Sequence, residues 1–100
     1  MYIAMNRFRI APQREADFEG LWKNRSTFLH EVPGFIEFHL LRGPSEAGAT
    51  LYASHTVWQS QKVFDAWTNS EAFTKAHSQG KAPAGTYLGP PQFEGFEVVL

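Results

Sequence analysis

The sequence contains no cysteine, which excludes a disulfide framework, a Cys-ligated zinc site and a thiol nucleophile. Charge of one sign is lacking too. Nine Lys and Arg against ten Asp and Glu leave a formal charge of -1, too little for an electrostatic footprint toward nucleic acid or an anionic membrane. No apolar run is long enough to span a bilayer, and the amino terminus enters a strand-like pattern without signal-peptide character. A soluble cytoplasmic protein with no nucleic-acid or membrane partner is therefore expected. Internal repeats and low-complexity segments are missing as well. The 100 residues are the length of a single domain, 1–100, short enough to gain stability by pairing with a partner. What is abundant is aromatic surface: nine Phe, three Trp and three Tyr within a hydrophobic content of 43%.

Much of that surface gathers around Ser60 to Ser78, which reads as helix. Val63, Phe64 and Trp67 follow the spacing of one helical face, and Phe73 and His77 form a second i, i+4 pair. On one straight helix Trp67 and His77 would lie about 15 Å apart along the axis and be rotated by about 80°. Thr68-Asn69-Ser70 supplies poor helix formers with good capping groups, and Thr68 with Glu71 has capping-box spacing. The helix is expected to break there, turning both halves toward one cavity.

Residues 2–10 alternate as a first strand, with Ala4, Asn6 and Phe8 on one face and Ile3, Met5 and Arg7 on the other. Asn6 is thus an amide among apolar neighbours. Such a group is either a structural crosslink or a donor aimed at something bound. Pro12 suits a first helical turn, and Phe18, Leu21, Trp22, Arg25, Phe28, Leu29 and Val32 keep a helical rhythm up to Pro33-Gly34. Arg25 on that stripe either snorkels to solvent or meets a carboxylate.

Phe35 to Arg42 and Thr50 to Trp58 read as paired strands around a Gly43 to Gly48 connection long enough for a mobile tip. His39 and His55 lie in these strands without the close carboxylate or second-histidine pattern of a mononuclear metal site, and read as packing or hydrogen-bonding residues. His30 suits the carbonyl end of the first helix. The Gly- and Pro-rich run from Gln79 to Pro91 has no periodicity and reads as a lid, and Phe93 to Leu100 supplies a last strand.

The order βαββαβ specifies an α+β, ferredoxin-like fold: a four-stranded antiparallel sheet with two helices on one face. The opposite face is partly apolar and has no cover in one chain. A homodimer built sheet on sheet is the expected remedy, each pocket lying between a protomer's own helices and sheet.

The chain resembles the antibiotic biosynthesis monooxygenase superfamily over nearly its whole length, and within it the IsdG-type haem-degrading monooxygenases. The resemblance rests on Asn6, Trp22-Lys-Asn-Arg25, Pro33-Gly-Phe35, Leu40-Leu-Arg42, Thr56-Val-Trp58, Phe64-Asp-Ala-Trp67, Ala76-His77 and Phe96-Glu-Val-Val99. Asn6, Trp67 and His77 together are its most specific part.

The resemblance implies a dimeric α+β barrel that binds haem as both cofactor and substrate. It opens the porphyrin with O2 and electrons from an external donor such as a reductase, and releases iron. It also implies His77 as the axial iron ligand, Asn6 as the donor toward the reacting oxygen on the opposite wall, and Trp67 as the residue that distorts the macrocycle. Trp22, Phe64 and Phe73 would shape the apolar pocket, and Arg25 would contact a propionate. Two other readings stay open: a cofactor-independent monooxygenase acting on an aromatic or quinone-like molecule, and a non-catalytic haem-binding protein.

Overall fold

A computed structural model describes residues 1–24, 29–78 and 82–100, with the backbone alone at 76–78. Strand β1 (Tyr2–Ile10) is followed by helix α1 (Glu15–Asn24), a 3-10 turn (Leu29–Glu31), β2 (Phe35–Glu46), β3 (Ala49–Trp58), α2 (Gln61–Thr68), α3 (Glu71–Ser78) and β4 (Gln92–Glu97). The strands form one antiparallel sheet in the order β2-β3-β1-β4, the ferredoxin-like arrangement expected from the order of the elements. Among the described residues no helix is long and apolar enough to cross a membrane.

Alternation along β1 decides which face is covered. Tyr2, Ala4, Phe8 and Ile10 are buried, whereas Arg7 and Arg9 are exposed. Aromatic side chains from the helices land on the first set. Phe18 of α1 sits 5.2 Å from Phe8 and 4.8 Å from Tyr52, and Phe64 of α2 sits 5.5 Å from both Tyr2 and Trp58. Burying each such ring is worth about 1.5–3 kcal/mol, so the helices are fixed to this inner face. The core divides into two clusters: Tyr2, Ala4, Leu29 and Trp58 under α2, and Phe8, Ile10, Phe18 and Tyr52 under α1.

Small residues separate the clusters. Register pairing places Thr56, Ala4 and Gly95 in one row of the inner face, and Ser54, Asn6 and Phe93 in the next. Gly95 is required by its neighbour, because a methyl group at that position would run into the Tyr2 ring. Gly95→Ala is therefore expected to destabilise the protein by about 1–3 kcal/mol, read as a lower thermal unfolding midpoint, with Tyr2→Phe, which removes the hydroxyl the new methyl meets first, recovering part of the loss.

Several boundaries differ from the sequence expectation for local reasons. The first helix begins at Glu15 rather than Pro12, because Gln13 takes φ +70° and Arg14 donates back to Ala11 across a turn. Its stripe does not continue as one described helix to Val32: Leu29–Glu31 is a tighter turn, closed by Val32 donating to the Leu29 carbonyl at 2.9 Å. Arg25 and Phe28 of that stripe lie outside the described residues. The connection between β2 and β3 is no mobile tip. The ladder runs on to Glu46 and Ala49, and Ala47 and Gly48 turn at φ 52° and 76°, the paired positive values of a two-residue hairpin. The bend between α2 and α3 occurs at Asn69-Ser70 as expected, but the cap is Ser70, whose Oγ accepts from Phe73 N at 3.2 Å. The Thr68 hydroxyl instead donates to the Asp65 carbonyl at 2.9 Å. The last strand is shorter than expected, ending at Glu97.

Candidate functional site

Asn6 stands between the two core clusters, flanked on the sheet by Ser54 of β3 and Phe93 of β4. It opens on a hollow of about 400 Å³ whose other walls are Phe8, Trp22, Tyr87, Gly89 and the Pro90-Pro91 pair. Among the described residues the Asn6 side-chain amide makes no hydrogen bond, so of the two readings of this residue the crosslink has no partner to join. An amide with free donors and acceptors, set in an apolar wall, is suited to orient a ligand.

The segment expected to form a structureless lid supplies part of that wall in a fixed position. Ala11 donates to the Thr86 carbonyl and Leu88 to the Arg9 carbonyl, each at 2.9 Å, while Tyr87 bridges to Ile10 and Thr86 is fully buried. Residues 86–88 are thus an added edge on β1, not a free loop. Residues 79–81 of the same segment lie outside the described residues.

Trp67 occupies a different hollow, of about 380 Å³, with Val32, Pro33, Val63, Ala66 and Ser70. Its indole lies 5.3 Å from Trp58 and meets the Phe73 ring edge-on at 4.8 Å. A continuous aromatic wall links the two hollows: Phe93, beside Asn6, stacks on Phe64 at 5.8 Å and 12°, and Phe64 lies 6.3 Å from Trp67. His77 lies four residues beyond Phe73 in α3, and its side chain is outside the described residues. Among the described residues no three His, Asp or Glu side chains gather into a metal-binding group.

Trp22 is shared between the Asn6 hollow and a third, of about 390 Å³, on the far side of α1. It stacks on Phe38 at 5.6 Å and 20°. There the Tyr52 hydroxyl donates to the Glu19 carboxylate, which also takes a hydrogen bond from Arg42 at 3.1 Å. Burial, reinforced by that carboxylate, pushes the Tyr52 hydroxyl from 10 up to about 12. The stability this contributes is complete below pH 10 and is lost as the pH rises toward about 12.

Of the residues singled out in the sequence, the fold brings Asn6 and Trp22 to one hollow and joins Phe64, Trp67 and Phe73 to it by ring contacts. Phe93 and Tyr87 were missed. Phe93 was visible as the first residue of an expected strand, but only the β1–β4 register puts it beside Asn6.

Known proteins share both the sequence and the architecture. The chain is 32% identical over 99 residues to a Mycobacterium tuberculosis protein named heme oxygenase (mycobilin-producing), covering 98% of this chain and 89% of that one. The structure of MhuD, a heme-degrader from Mycobacterium tuberculosis with two hemes bound in its active site, superposes with a TM-score of 0.78 at 28% identity, over 100% of this chain and 97% of the other. SnoaB, a cofactor-independent oxygenase from Streptomyces nogalater, shares the fold with a TM-score of 0.69 at 21% identity, over 97% and 91% of the two chains. The sequence pattern of one family runs through β1, both core clusters and the bent helix, matching residues 1–79, and the chain belongs to that family, the antibiotic biosynthesis monooxygenases.

Proposed function

We propose that this protein is a haem-degrading monooxygenase, acting as a single domain that binds haem as substrate and opens its ring with O2 and electrons from an external reductase in the cytoplasm, releasing iron. The observation that carries this reading is the open Asn6 amide at the head of an aromatic wall running through Phe93, Phe64, Trp67 and Phe73, in a chain related to a heme oxygenase. The residues fit a flat, largely apolar ligand. Ala4, Ser54 and Gly95 keep the sheet floor low, and about 400 Å³ at Asn6 lies within the range of small-molecule sites.

When bound, haem supplies the iron that activates dioxygen and the ring that is opened. The chain supplies position and exclusion of water. His77 would hold the iron, and Asn6 would donate its amide N–H toward the reacting oxygen. Trp67, backed by Trp58 and Phe73, would press on the porphyrin. Trp22, Phe64 and Phe73 would exclude water, and Arg25 would contact a propionate. Titration with hemin tests the binding half of this reading: a saturable Soret band supports it, whereas its absence favours a cofactor-independent oxygenase.

The protein acts as a homodimer. The outer sheet face carries Ile3 and Met5 with half-exposed Leu41 and Phe96, and a second copy packed on it would bury more than about 1,200 Å² in total. Sedimentation at micromolar concentration is expected to give twice the mass of the chain; a monomer would overturn the assignment.

A further inference from the structure

We propose that the hollow between α1 and the β2 edge of the sheet binds a small aromatic carboxylate, at a site separate from the Asn6 hollow. Helical spacing turns Glu19, Trp22 and Lys23 to one side of α1, and alternation puts Phe38, Leu40 and Arg42 on the inner face of β2. The register sets Tyr52 of β3 opposite Arg42. Together these side chains line about 390 Å³, a volume within the range of small-molecule sites. Because β2 is an edge strand the hollow keeps an open side, and a second copy packed on the outer sheet face would leave it accessible.

Apolar surface and charge are divided between wall and rim. Trp22, stacked on Phe38, and Leu40 are partly buried and offer a flat ring an apolar bed. Lys23 and Arg42 are exposed and set two positive charges against the single carboxylate of Glu19. That carboxylate is already engaged, by the Tyr52 hydroxyl and by one nitrogen of Arg42 at 3.1 Å. A guanidinium has several N–H donors, so Arg42 can hold Glu19 and a ligand oxygen together. Among the described residues Lys23 makes no ion pair.

The surplus of one positive charge matches a ligand with one negative charge, and the planar fork of Arg42 matches a carboxylate. A phosphate monoester would bring a second negative charge toward Glu19 and be disfavoured. Trp22 also lines the Asn6 hollow, and the two sites are told apart by their other residues. The assignment does not depend on what the Asn6 hollow binds.

The test is titration of 2-naphthoate into the haem-free wild-type protein, followed by NMR. Saturable binding with a Kd below about 1 mM is expected. Shifts at the Leu40 methyl groups and the Arg42 amide are expected to exceed those at Asn6 and Tyr87, a readout independent of how well any variant folds. The neutral 2-naphthamide is expected to bind about tenfold more weakly, and Arg42→Gln to weaken naphthoate binding by about tenfold, the loss that follows one charge-assisted hydrogen bond. Arg9→Gln, which removes an exposed cation from the opposite face, is expected to leave naphthoate binding unchanged. Equal binding of the acid and the amide, an unchanged affinity in Arg42→Gln, shifts centred on Asn6 and Tyr87, or no saturable binding would overturn the site.

Discussion

His77→Ala is expected to lose the ferric haem spectrum of the wild-type protein. The assignment rests on where the other histidines lie. His30 is exposed in the 3-10 turn after α1, and His39 and His55 are on the outer sheet face, on the far side of the sheet from Asn6 and Trp67. The two strand histidines face away from the inner surface, and His30 is exposed in its turn, so none of the three is buried against Asn6 or Trp67. His77 follows the Phe73 that buttresses Trp67 by one helical turn of α3. Haem retained by the variant would be held by apolar contacts alone, with a changed Soret position and weaker affinity. An unchanged ferric spectrum would move the ligand to another residue.

The second large effect separates binding from chemistry. Asn6→Ala is expected to bind haem within about tenfold of the wild-type affinity, since one hydrogen bond is worth about 1 kcal/mol in the ground state. Its turnover is expected to fall by about 100-fold or more, the usual loss when a positioned donor to developing charge is removed. The substitution costs the fold little, because among the described residues no partner of the amide is left unsatisfied. Turnover at the wild-type rate would make Asn6 a structural residue. Trp67 offers a contrasting case. Its contacts to Trp58 and Phe73 make Trp67→Ala a stability change as well, of about 3–5 kcal/mol. Trp67→Phe, which keeps a ring against Phe73, is the better probe, and is expected to bind haem yet degrade it more slowly.

The fold was legible where periodicity carried it. Alternation in β1 separated Ala4, Asn6 and Phe8 from Ile3, Met5 and Arg7, and the run of poor helix formers before Glu71 marked the bend between α2 and α3. What stayed hidden was set by pairing between distant segments. Local composition cannot reveal that Ala47-Gly48 closes a ladder reaching Glu46, since Gly43, Pro44 and Gly48 look alike as turn residues. Nor does it show that Thr86–Leu88 is stitched to Ile10 and its neighbours, because those hydrogen bonds are backbone to backbone and independent of side-chain type. At the site, residue types that stand out in a strand or helix, such as Asn6, Trp22 and Trp67, could be picked out one by one. Their grouping could not: Asn6 and Trp67 line different hollows, and the Phe93–Phe64 stack that joins them depends on register.

The central claim is degradation of haem, and one measurement bears on it most directly. Protein loaded with one equivalent of hemin is given ascorbate in air, with an iron(II) chelator present, and followed by absorbance. The Soret band is predicted to decay while the chelator complex appears in proportion, and to persist when oxygen is withheld. A Soret band that stays intact under reductant and air, with no iron captured, would contradict the account and leave a protein that binds haem without consuming it.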